Sequence, residues 1–135
     1  MDWDDARQAC YTRVANNWTA HPTVTILRAG ETLPDLEGRT TPFIVIKAQP
    51  VRAQQAGMAG TSPPKRYYGR FEACLFVPGA SGDLIVNQVL TTLDNLFTAT
   101  SFSGIVCHGS HMPPASEAVG WRSQEFFSQF DFVKF

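Results

Sequence analysis

The chain has no run of eighteen apolar residues, and no basic segment leads into an apolar one. Neither a membrane span, which needs about 20 largely apolar residues, nor a signal peptide is therefore expected. Cysteine is scarce and odd in number. Cys10, Cys74 and Cys107 stand far apart in apolar surroundings, which suits buried thiols in a reducing compartment better than a disulfide framework. Acidic residues are missing altogether from Gly38 to Phe71, a stretch that holds Arg39, Lys47, Arg52, Lys65, Arg66 and Arg70. It carries +6, which leaves −7 on the remainder of a chain whose total is −1. This asymmetry marks the 39–70 region as a candidate contact surface.

Groupings that support catalysis or metal binding are also lacking. His108 and His111, in HGSH, stand three apart, and on a regular strand such a pair points to opposite faces, poor geometry for one metal ion. Cys107 and His108 diverge for the same reason and make no nucleophile–base pair. GMAGTSPPKR, residues 57–66, has glycines but no Gly-Lys-Ser/Thr ending and no helix after it, so its amides would not converge on a phosphate. Asp94, Glu117 and Glu125 are scattered without an acid–base pattern. No catalytic, metal or cofactor residue is assigned, and a non-enzymatic protein is expected.

What is present is the composition of one folded domain, residues 1–135, with 44% hydrophobic and 17% charged residues. Its organising stretch runs from Tyr67 to Phe97. Phe71, Ala73, Leu75 and Val77 recur at period two on one face of a strand, with Tyr68, Arg70, Glu72, Cys74 and Phe76 on the other. Pro78-Gly79 ends that strand, and Asp83 is placed to cap a helix. The helix would bury Val86, Val89, Leu90, Leu93, Leu96 and Phe97 along one stripe.

Around this unit the chain reads as follows. Asp2 to Trp18 forms a first helix with a stripe of Trp3, Ala6, Cys10, Val14 and Trp18, its acidic start favoured by the helix dipole. A short strand follows over Thr23–Leu27. Ala29–Thr41 is a loop into which Leu33 and Leu36 tuck, and Phe43–Gln49 is a central strand. Residues 50–66 are small, basic and rich in Gly and Pro, and read as a flexible segment, either a projecting β-arm or a mobile loop between antiparallel strands. Gly104–His111 is another strand and Ala115–Gly120 a turn. The closing WRSQEFFSQFDFVKF places Phe126, Phe130 and Phe132 on one face and Phe127, Val133 and Phe135 on the other. A strand apolar on both faces suits one side against helices and the other against a neighbouring subunit, so Phe127, Val133 and Phe135 are candidate interface residues.

Several of these positions resemble a known family. The opening helix carries D-x-x-D-A-R-Q-A-x-Y-x-R-V, as Asp2, Asp5, Ala6, Arg7, Gln8, Ala9, Tyr11, Arg13 and Val14, with Trp18 after it. Then come Gly69, the Phe76-Val77-Pro78 step with Gly79 and Gly82 in its turn, a helix ending Leu96-Phe97, and a close with Gly120-Trp121 and Phe130-x-Phe132. The arrangement is similar to the tail terminator-like (tail completion) proteins of long-tailed bacteriophages and prophages. Where that family has an aromatic- and proline-rich stretch after the first strand, this chain has only Thr32-Leu33-Pro34. The resemblance implies an α+β fold, with an antiparallel or mixed sheet and two helices packed on one face. It further implies a ring-forming subunit, typically a hexamer, that caps the finished tail tube, ends its polymerisation and presents a surface to the head connector. The expected partners are then copies of the chain, the tube protein and head connector proteins, at the head-proximal end of the virion tail, with synthesis in the host cytoplasm and no cofactor. Arg52, Lys65, Arg66 and Arg70 would be the partner-contact residues of the arm. Another head–tail joining or tube protein of the same fold is the near alternative. A nucleic-acid-binding module that grips phosphates with the basic 39–70 hairpin belongs to a different class, but 52–65 lacks aromatics for base stacking.

Overall fold

The computed structural model describes residues 1–32, 41–55, 64–79, 83–118 and 120–134. Among these are two helices and seven strands: α1 (Trp3–Asn16), β1 (Thr25–Arg28), β2 (Phe43–Gln55), β3 (Lys65–Pro78), α2 (Asp83–Phe97), β4 (Thr100–Phe102), β5 (Ile105–His111), β6 (Ser116–Ala118) and β7 (Trp121–Lys134). The strands form one sheet in the order β1-β2-β3-β7-β5-β4, with β6 also paired to β7. The fold is α+β, as expected, and the sheet is mixed: β1 runs parallel to β2 while every other pairing is antiparallel.

The first helix starts at a reciprocal cap. The Asp2 carboxylate accepts from the Asp5 amide at 2.9 Å, and the Asp5 carboxylate accepts from the Asp2 amide at 3.1 Å, so two otherwise orphan donors are satisfied. Ala6, Cys10, Tyr11 and Val14 are its buried face. The helix ends at Asn16, so Trp18 lies beyond it, its indole donating to the Val24 carbonyl at 3.0 Å. The second helix buries Val86, Val89, Leu93, Leu96 and Phe97, with Leu90 packed at the margin. Asp83 is its first residue rather than its cap, and its carboxylate takes the Arg122 guanidinium.

Both helices lie on the same side of the sheet. Ile44, Ile46 and Ala48 of β2, Phe71, Ala73, Leu75 and Val77 of β3, Ile105 and Cys107 of β5, and Phe126, Phe130 and Phe132 of β7 all join the core beneath them. Phe71 stacks on Phe97 with ring centroids 3.9 Å apart, which fixes α2 on the sheet. At the other end Trp3 meets Tyr67 at 5.5 Å and Phe132 at 5.2 Å, both edge-on, and holds the start of α1.

Two further expectations change, and one is narrowed. Of the two readings of 50–66, a projecting β-arm or a mobile loop, the described ends follow the first, with Arg52↔Tyr68 through Gln55↔Lys65 in antiparallel register and an irregularity between Pro50 and Arg52; residues 56–63 lie outside the described residues. The supposed turn over Ala115–Gly120 contains β6, which pairs with β7 through Ala118↔Trp121. The first strand begins two residues later than expected, at Thr25. Leu33, Leu36, Arg39 and Phe135 lie outside the described residues.

Candidate functional site: the helix-free face of the sheet

Side chains alternate along a strand, so the residues out of phase with the core share the opposite face. On β3 these are Arg66, Tyr68, Arg70, Glu72, Cys74 and Phe76. On β7 they are Phe127, Gln129, Asp131 and Val133. The two helices both pack on the other side, which leaves this outer face half-buried instead of sealed.

A buried carboxylate organises it. Asp131 is 5% exposed. One of its oxygens accepts from the Arg66 guanidinium at 2.9 Å, and the other meets His108 Nε2. Two charge-assisted partners offset the desolvation of a carboxylate in such a position. Beside them the Arg52 guanidinium lies over the Tyr68 ring, 4.4 Å from its centroid, and Gln54 donates to the Tyr68 hydroxyl at 3.1 Å. Arg70 pairs with Glu72 and covers the Phe127 ring at 5.1 Å, while His111 stacks on Phe127 from beyond at 6.4 Å. Arg70 Nε is buried and lacks a hydrogen-bond partner. Two grooves meet at Arg70 and Gln129. One, of about 480 Å³, is lined by Gly109, Ser110, His111 and Phe127 as well. The other, of about 370 Å³, is completed by Val51, Arg52, Tyr68, Gly69, His108 and Phe130.

Of the sequence-predicted residues, the fold brings Arg52, Arg66, Arg70 and Phe127 together on this face, with Val133 opposite Arg66 in the register. Lys65 is exposed but out of phase with them, and pairs with Lys134 across β3 and β7. The histidine expectation is corrected. An irregularity between Cys107 and Ser110 in the β5–β7 pairing shifts the phase, so His108 and His111 both reach the outer face, one at Asp131 and the other at Phe127. Among the described residues no three His, Cys, Asp or Glu side chains cluster as a metal site. The sequence reading missed Asp131, although its signal is present: a lone carboxylate in phase with Phe127 and Val133.

Burial pushes the Cys10 thiol up to about 12 and those of Cys74 and Cys107 to about 11, so none is a thiolate nucleophile at neutral pH. Among the described residues no helix is long and apolar enough to cross a membrane.

No protein-family model matches the chain, and no curated protein matches it. A solved structure of a protein that carries no functional name is similar at a TM-score of 0.71 and 17% identity, over 100% of this chain and 97% of that one. At that identity the likeness concerns the fold alone, over the whole length of both chains.

Proposed function

We propose that the chain is a tail terminator-like subunit of a long-tailed phage or prophage. Copies of it form a ring, typically of six, that caps the tail tube, ends its growth and offers a surface to the head connector. The observation that carries this reading is the one-sided sheet. Both helices occupy one face, while the other presents Arg52, Tyr68, Arg70 and Phe127 around open grooves. Aromatic and arginine side chains on a face that the two helices leave free suit protein–protein contact, where such residues are enriched. The role is one of assembly, without catalysis or cofactor, in the virion at the head-proximal end of the tail. Its partners are copies of itself, the tube protein and the head connector.

The nucleic-acid reading loses support from the pairing on this face. Arg66 and Arg70 are each engaged with a carboxylate of the chain itself, which leaves fewer free cations to grip phosphates. A tube or another joining protein of the same fold shares the geometry and is separated by behaviour. The test is the mass of the purified species, alone and with a phage tail tube protein. A closed oligomer that arrests tube elongation is expected. A species that stays monomeric with tube protein present, or that extends tubes instead of stopping them, overturns the proposal. So does tight, salt-sensitive binding to DNA.

A further inference from the structure

At its β1 end the sheet has an incomplete edge. The β1–β2 pairing stops at Arg28↔Ile46, whereas β2 runs on to Gln55, and among the described residues no other strand pairs there. The Ala29 amide donates to the Ile46 carbonyl at 2.9 Å. Two residues on, in the same phase, the Ala48 carbonyl accepts instead from Arg7 Nε at 3.4 Å. A groove of about 730 Å³ wraps this edge, between α1 and the end of β1. Three cations line it, Arg7, Arg28 and Lys47, against one carboxylate, Glu31. Unlike Arg66 and Arg70, none of the three has an ion pair among the described residues. Arg28 lies over the Tyr11 ring, 5.0 Å from its centroid. Lys47 faces Glu72 in the register, but that carboxylate is taken by Arg70 and accepts from the Gln49 amide at 3.0 Å. A carbonyl and an aromatic ring thus position the two arginines without neutralising them.

We infer that this edge docks an acidic, extended segment of a partner protein, laid along β2 in line with β1. A strand edge offers main-chain groups that a polypeptide can return, which is how peptides are captured by strand addition. Pro50 has no N–H to give, so the ladder is short and the cations supply the selectivity for acidic side chains. Nucleic acid suits the groove less well. Three cations are few for gripping a phosphate backbone, and Tyr11 is buried, out of reach of a stacking base. The contact uses neither the outer face nor the ring, so it stands apart from the assembly role proposed above.

Fluorescence anisotropy of a labelled peptide alternating Glu and Val tests this, with a Lys–Val peptide and a single-stranded DNA of equal negative charge for comparison. The Glu–Val peptide should bind. Its affinity should fall roughly tenfold in the double variant Arg28→Gln, Lys47→Gln, and far less in Arg52→Gln on the outer face. Lys47→Arg should keep it. Arg28 and Lys47 are exposed, and circular dichroism would confirm that the variants are folded. On binding, hydrogen exchange should slow around Ala48. Absence of binding up to about 1 mM peptide, an affinity untouched by the double variant, or slowing confined to the outer face overturns the inference. So does a Lys–Val peptide that binds equally well. DNA that binds at least as tightly and is released by the same double variant overturns it too, and assigns the groove to nucleic acid. A chain that forms no ring yet passes these tests keeps this contact and loses only the assembly role.

Discussion

Phe126 and Phe127 are neighbours in β7 with different tasks. Phe126 is fully buried beneath the helices, 0% exposed, whereas Phe127 lies between Arg70 and His111 on the outer face. Phe126→Ala should cost about 3–5 kcal/mol of folding stability, the usual penalty for a buried phenylalanine. Phe127→Ala should cost roughly 1 kcal/mol, in line with the smaller area it buries, yet should impair assembly more than folding. Urea unfolding and sedimentation, run on both variants, check the two halves of this statement. His21 gives a pH prediction. It is buried, its Nε2 bonds Thr92 Oγ1 at 2.7 Å, and burial lowers its pKa from 6.5. The unfolded chain therefore takes up that proton first, so the stability it contributes is present above about pH 6.5 and is lost as pH falls through the lower folded value. The melting temperature should drop between pH 7.5 and 5.5, and the drop should be smaller in His21→Gln. A drop of equal size in the variant would assign the effect to other groups. The alternation that separates Phe126 from Phe127 was legible from spacing alone. The bonds of Asp131 to Arg66 and His108, 65 and 23 residues away in sequence, were not, because no local pattern reports which distant side chains a register brings together.

Among the elements, the β3 strand and the α2 helix followed their periodicities because each signal is local: a period of two for the strand, and of 3.6 for the helix stripe. What spacing left open was set by partners. Residues 50–55 lack a core pattern of their own, yet they are strand because β3 pairs with them as far as Gln55↔Lys65. Gly69 shows how closely that hairpin meets α1. A Cβ there would stand 2.5 Å from Phe130 Cζ and 2.9 Å from Trp3 Cζ3, so only glycine lets both rings pack this close to the strand. Gly69→Ala should cost about 1–3 kcal/mol through overpacking, and should loosen the start of α1. A tryptophan emission spectrum and a denaturation curve unchanged from the wild type would contradict this. The edge of β2 beyond β1 is blunted by Pro50, the adjacent irregularity and the exposed Lys47, devices that discourage unplanned strand pairing.

At the scale of the whole molecule, the class α+β followed from the mix of patterns, but the order of strands did not. The parallel entry of β1 needs a crossover connection, supplied by residues 29–42, and the sequence of that connection does not announce which strand it will meet. The position of β7 is a larger case. Formed from residues 121–134, it lies between β3 and β5 and pairs with β3 along the full length of both. During synthesis β1–β3 and β4–β5 therefore emerge as two half-sheets, each with an open edge, and neither can be joined until the strand between them has left the ribosome. Separate early folding of the first half is disfavoured, and the nascent chain exposes the bonding edge of β3 from its own emergence until β7 follows. Chaperone occupancy should persist until residues beyond 121 are free, and any early stop that removes β7 leaves two edges seeking a partner and no sheet to bury them.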